Sequence, residues 1–185
     1  AQSAFTFAAQ GNISSVDPAM GQLGTIITIN GTNFLSAGTA ISRVLIGNID
    51  VLSILSYSDT GVVVRAQESA ATGLVNVTLI TDTGTMTTSP NAFNYTAASA
   101  IASVSPESGQ FGTRVTIAGT RLYGASGTAV ARVVLGGVVA TVSSESQTEV
   151  VAVVQRNSSA AANANVLVEA DSGAITRAAG AWTYL

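Results

Sequence analysis

Apolar and polar residues alternate along much of this chain with a period of two. Thr25-Ile26-Ile27-Thr28-Ile29 and Arg114-Val115-Thr116-Ile117 place Ile27, Ile29, Val115 and Ile117 on one face of two strands, the pattern of a sheet with one buried side. Further β-branched runs at Ile49–Ser56, Gly61–Arg65, Leu74–Ile80 and Ala164–Glu169 predict more strands. Turn-forming clusters separate them, as at Gly47-Asn48, Ser58-Asp59-Thr60-Gly61 and Asp82-Thr83-Gly84. No segment carries a capped helical stripe. Roughly six or seven short strands per repeat, with turn signals every 8–12 residues, predict an antiparallel β-sandwich.

The pattern occurs twice. Ile13-Ser14-Ser15-Val16-Asp17-Pro18 returns as Ile101-Ala102-Ser103-Val104-Ser105-Pro106, 88 positions later. At the same offset Gly21-Gln22-Leu23-Gly24-Thr25 matches Gly109-Gln110-Phe111-Gly112-Thr113, and Thr28-Ile29-Asn30-Gly31-Thr32 matches Thr116-Ile117-Ala118-Gly119-Thr120. Arg43-Val44-Leu45-Ile46-Gly47 pairs with Arg132-Val133-Val134-Leu135-Gly136, and Asp82-Thr83-Gly84 with Asp171-Ser172-Gly173, now 89 positions apart. Ala92-Phe93-Asn94-Tyr95 closes the first repeat and Ala181-Trp182-Thr183-Tyr184 the second. Ala4-Phe5-Thr6-Phe7 has the same aromatic-polar-aromatic pattern one period earlier. It reads as the closing strand of a preceding or neighbouring module.

These residues reach a family. Ile-x-Ser-Val-x-Pro, Gly-Gln-Leu/Phe-Gly-Thr, an alternating strand, Gly-Thr-x-Phe/Leu and a closing aromatic strand resemble the IPT/TIG domain, an immunoglobulin-like module of the early-set type. The resemblance covers nearly the whole of both repeats. It implies an all-β chain of two tandem immunoglobulin-like β-sandwiches preceded by an orphan closing strand, from a longer repeat array. The boundaries are 1–8 for the strand, 9–96 for the first sandwich and 97–185 for the second. Pro18 and Pro106 then lie near the first strand, Gly24 and Gly112 enter the second, and Phe34 closes it. In the second repeat Leu122 or Tyr123 takes the place of Phe34. All these motif residues are structural.

Composition narrows the chemistry. In 185 residues there is no His and no Cys, and the seven basic residues are all arginine. That excludes disulfides, Cys/His zinc sites, thiol nucleophiles, a Ser-His-Asp triad and a P-loop lysine. A paired-carboxylate hydrolase is the one common design left. The acids fall mostly in turn-like segments, at Asp59, Asp82, Glu107, Glu145 and Asp171. In the two Asp-x-Gly turns the carboxylate is expected to bond local backbone N–H groups. No spacing suggests a calcium loop. The chain is read as no enzyme, with no catalytic, cofactor-binding or metal-binding residues and no cofactor. Nucleic acid is excluded as a partner, since Arg43 and Arg132 each stand alone ahead of an apolar strand and the net charge is −3. The apolar runs, such as Val62–Val64 and Val150–Val154, are far too short to span a membrane.

Asn-x-Ser/Thr acceptors at Asn12, Asn30, Asn76, Asn94 and Asn157 are candidate N-glycosylation sites. Asn76 corresponds to Asn165, which lacks the acceptor, and Asn94 alternates with Phe93 and Tyr95 so as to point outward. Phe5 and Phe7 are candidates for strand addition or inter-module contact. Six positions separate Phe7 from Ile13 and six separate Tyr95 from Ile101, equal short connections without flexible tracts. The leading expectation is an extracellular or cell-surface structural protein. Its modules would form a filament, stalk or surface fibre by self-association or continuation in a repeat array. The alternative is a ligand- or carbohydrate-recognition region of a receptor, adhesin or carbohydrate-active enzyme. Tyr57 and Tyr123 would be its only aromatic platforms, because Trp182 and Tyr184 are expected in the core.

Overall fold

A computed structural model describes residues 9–157 and 162–185. Every regular element in it is a strand. Phe5 and Phe7, with the orphan closing strand, lie outside the described residues. The chain divides into two compact units. One is the chain up to Met20 together with Ile26–Tyr95; the other is Gly21–Thr25 together with Thr96–Leu185.

The first repeat builds nine strands: β1 (Asn12–Asp17), β2 (Met20–Gly21), β3 (Ile26–Thr32), β4 (Ile41–Ile46), β5 (Ile49–Asp50), β6 (Ser53–Tyr57), β7 (Gly61–Arg65), β8 (Gly73–Thr81) and β9 (Met86–Tyr95). They form two sheets, ordered β1-β3-β7-β6 and β2-β9-β8-β4-β5. The run Ile49–Ser56, expected as one strand, is broken at Val51-Leu52. There the Val51 N–H bonds the Val44 carbonyl at 3.1 Å and the Leu52 N–H bonds the Arg65 carbonyl at 2.8 Å. One N–H serves each sheet, so the chain changes sheets without losing a backbone bond.

The second repeat builds β10 (Ala100–Ser105), β11 (Ser108–Gly109), β12 (Arg114–Thr120), β13 (Val130–Leu135), β14 (Val138–Glu145), β15 (Glu149–Val153), β16 (Ala164–Ala170) and β17 (Ile175–Tyr184). Here β14 crosses unbroken. Val138–Ala140 pair with β13 and Thr141–Glu145 with β15, which joins both sheets in one eight-stranded order.

The period-two faces fall as expected. Ile27 and Ile29 pair with Val64 and Val62, and Val115 and Ile117 with Ala152 and Val150. All eight side chains are fully buried. Each large one among them contributes roughly 1.5–3 kcal/mol by leaving water. In the closing strands Phe93 packs edge-on to Tyr95 at 5.1 Å, and Trp182 to Tyr184 at 5.6 Å. The family position is settled in the second repeat: Leu122 is fully buried and Tyr123 only half-buried. A Cβ on Gly119 would lie 2.8 Å from Leu122 Cδ2, as one on Gly31 would lie 2.5 Å from the Phe34 ring. The Asn12 and Ala100 carbonyls at the starts of β1 and β10 come closer still, so glycine is required first by the neighbouring strand's backbone and then by the plug residue. Gly24 and Gly112 both adopt φ +86° at the entry to the second long strand.

Candidate functional site

Several of the charged groups hold the structure together. Arg43 and Arg132, expected to stand alone ahead of apolar strands, lie within β4 and β13 and are paired. Arg43 grips Asp50 through Nε at 2.9 Å and Nη2 at 2.8 Å, and Arg132 Nε donates to the buried Glu169. Arg132 lies directly opposite Glu169 and Arg43 lies diagonal to Asp50, which is opposite Leu45, pairings that the linear sequence conceals. Hydrogen bonding from Arg43 holds the Asp50 carboxyl below its usual range.

Asp82 and Asp171 also depart from the local-turn reading. Asp82 accepts the Thr39 N–H at 3.0 Å and the Thr39 hydroxyl at 2.6 Å; Asp171 accepts the same pair of groups from Thr128 at 2.9 and 2.7 Å. The Ser172 N–H, which donates to Asp171 at 2.9 Å, is a side-chain bond of the expected local kind. The threonine hydroxyl is the main cause that lowers both carboxyls. Asp59 accepts the Leu35 N–H and Glu145 the Val130 N–H. Glu145 ends a strand rather than sitting in a turn. Among the described residues no three acids assemble as a metal site.

The glycan acceptors lie on different elements. Asn12 is exposed at the start of β1 and Asn30 is exposed on β3, where its amide donates to Ser15 Oγ at 3.2 Å. Asn76 is exposed at a bulge of β8, and its Oδ1 accepts the Asn91 N–H at 3.0 Å. Asn165 repeats this with the Gly180 N–H at 3.3 Å. The asparagine therefore recurs because it staples a bulge, whether or not an acceptor hydroxyl follows. Asn94 and Asn157 are half-buried.

The exposed apolar residues were the feature least visible in the sequence. Leu55 and Tyr57 lie on β6, an edge strand, and are 50% and 47% exposed, with exposed Leu52 just before it. Register places Ala140, Ser143 and Glu145 at the same points of the second sandwich. Comparing the repeats position by position is the signal that finds this edge. Of the two aromatic platforms, Tyr57 is open to solvent and Tyr123 packs partly against its core. A groove of about 200 Å³ between β10 and β17 is lined by Ile101, Ser103, Glu107, Ala178 and Gly180. It falls below the roughly 300–1,000 Å³ of small-molecule sites. No helix among the described residues is long and apolar enough to cross a membrane.

The sequence pattern of the IPT/TIG domain matches residues 12–95 and again 99–184. No curated protein sequence matches the chain. Among solved structures, the plexin A4 full extracellular region is 21% identical, with a TM-score of 0.57, over 100% of this chain and 16% of that one. A Bacteroides ovatus SGBP-B of a mixed-linkage glucan utilization locus, in complex with a mixed-linkage heptasaccharide, is 16% identical with a TM-score of 0.38. That match covers 94% of this chain and 44% of the other. The surface glycan-binding protein PbSGBP-B of Prevotella bryantii gives 16% and 0.37, over 97% and 43%. The chain thus spans less than half the length of these structures, and at such identities the likeness is one of fold.

Proposed function

The chain belongs to the IPT/TIG domain family, and on that premise we propose that it is a non-catalytic, extracellular structural protein. Its tandem modules would act in a filament, stalk or surface fibre. The duplication carries this reading. The same core, turns and closing aromatics are built twice, and the motif residues are spent on glycine geometry and packing. The acids that could serve a hydrolase are tied to Arg43, Arg132, Thr39 and Thr128.

In this reading Phe5 and Phe7 supply the closing strand of a preceding module, or of a neighbour by strand addition. The equivalent places in the two described sandwiches are already filled by Phe93 with Tyr95 and by Trp182 with Tyr184. Asn12, Asn30, Asn76, Asn94 and Asn157 are its glycan acceptors, three of them well exposed. A chain with only 9% charged residues has few charges with which to cover its surface, and glycans or neighbours would add cover.

Carbohydrate recognition is the second reading, favoured by the exposure of Tyr57 beside Leu55. Electron microscopy of the native material decides between them. Regular fibres with a module-length repeat are expected. Discrete particles that bind a glycan array, with binding lost in Tyr57→Ala, would replace the structural reading with the second.

A further inference from the structure

The chain of the first repeat does not stay entirely with the first sandwich. Met20 and Ile26 belong to the first compact unit, but Gly21–Thr25 between them belongs to the second. The segment is folded locally as a turn. The Thr25 hydroxyl accepts the Gln22 N–H at 3.1 Å, and the Thr25 N–H returns to the Gln22 carbonyl at 3.2 Å. Three successive residues then bond to the rest of the second unit. The Gly21 carbonyl accepts the Thr96 N–H at 2.8 Å and the Thr96 hydroxyl at 3.0 Å. Gln22 Oε1 accepts the Ser99 N–H at 2.9 Å, and its Nε2 donates to Ser99 Oγ at 2.5 Å. That hydroxyl meets Thr176 Oγ1 in turn. The Leu23 carbonyl accepts the Ile175 N–H at 2.9 Å.

These bonds are made away from water. Gln22 is 3% exposed, and Thr25 and Thr176 are as deeply buried. A buried amide that loses its partner costs more than the bond itself contributes. Packing is equally close, since a Cβ on Gly24 would lie 2.6 Å from the Gly173 carbonyl. The turn does not need these surroundings to form. Gln110 and Thr113 make the same two bonds, both at 3.0 Å, with Gln110 exposed. The buried contacts of Gln22 therefore serve the second sandwich rather than the turn.

We infer that Gly21–Thr25 is a strap through which the second sandwich depends on the first being folded. The strap is an intramolecular ligand of the second unit, and a ligand that binds only the folded state stabilises it. β2 ends at Gly21 and β3 begins at Ile26, so strands of the first repeat hold both ends of the strap in place. It meets Thr96, Ser99 and Ile175 at high effective concentration and already ordered. Unfolding of the first sandwich releases both ends, and the strap's few bonds then oppose the full entropy of ordering it. The second sandwich is left with the Ser99 N–H, the Ile175 N–H and the Thr176 hydroxyl short of their partners. The strap works within one chain and needs no fibre, so its failure would leave the structural reading standing.

Trp182 is the one tryptophan of the chain and is fully buried in the second core, so its emission reports on that sandwich. Gln22→Ala should lower the thermal midpoint followed at Trp182 by roughly 4–8 °C, although Gln22 is a residue of the first repeat. Gln110→Ala removes the same side chain from the same turn at an exposed position and should leave that midpoint in place. Val44→Ala, in the first core and outside the strap, should lower it as well. A midpoint moved no further by Gln22→Ala than by Gln110→Ala overturns the strap. So does a Trp182 midpoint untouched by Val44→Ala while circular dichroism shows the first sandwich melting earlier.

Discussion

Single residues mark where each core is imperfect. The Tyr95 and Tyr184 hydroxyls and the Trp182 indole N–H are buried with no hydrogen-bond partner among the described residues. Burial pushes the Tyr95 hydroxyl up to about 12. An unmet buried hydroxyl costs roughly 1–3 kcal/mol, while the ring beneath it packs well. Tyr95→Phe and Tyr184→Phe should therefore hold or raise stability, by up to about 1 kcal/mol each in urea unfolding. A loss of that size would show that the hydroxyl has a partner. Asp82 and Asp171 act in the opposite sense. Their carboxyls are held below the ordinary aspartate range of about 4. The stability they give is present above that range and is lost as pH falls through the lowered value. Thermal midpoints should fall on acidification below about pH 4 in the wild type. The Asp82→Asn, Asp171→Asn variant should start lower and lose less over the same range.

At the scale of elements, the repeats differ most at the strand that crosses between sheets. In the first, β6 carries Leu55 and Tyr57 on a sheet edge without a charge. In the second, β14 carries Ser143 and Glu145 at those points. Charge on an edge strand discourages uncontrolled pairing with other chains. Leu55→Ser with Tyr57→Glu, which copies the second repeat into the first, should change the unfolding free energy by no more than about 0.5 kcal/mol, since both side chains are exposed. It should also reduce light scattering on heating. Unchanged scattering would show that aggregation starts elsewhere.

For the whole molecule, duplication matters more than either sandwich. The two Gly-Gln-x-Gly-Thr turns differ in their surroundings: Gln22, Gly24 and Thr25 are buried, while Gln110, Phe111 and Gly112 are exposed. Few charges, no lysine and the acceptor asparagines describe a surface suited to being covered.

Much of the fold was legible in the amino-acid order, because strand faces are set by a local period of two. Ile27, Ile29, Val115 and Ile117 could be placed in the core from alternation alone, and the family pattern could be read from glycines whose turn geometry is equally local. Sequence composition also fixed which chemistries were impossible. Tertiary structure decided everything that depends on residues brought together from a distance. It paired Arg43 with Asp50 and Arg132 with Glu169, joined Asp82 to Thr39 across 43 residues, and split Ile49–Ser56 between two sheets. It also made one of two nearly identical turns buried and the other exposed. No local rule separates Leu23 from Phe111 in that respect, since exposure is a property of what packs against a residue rather than of the residue itself.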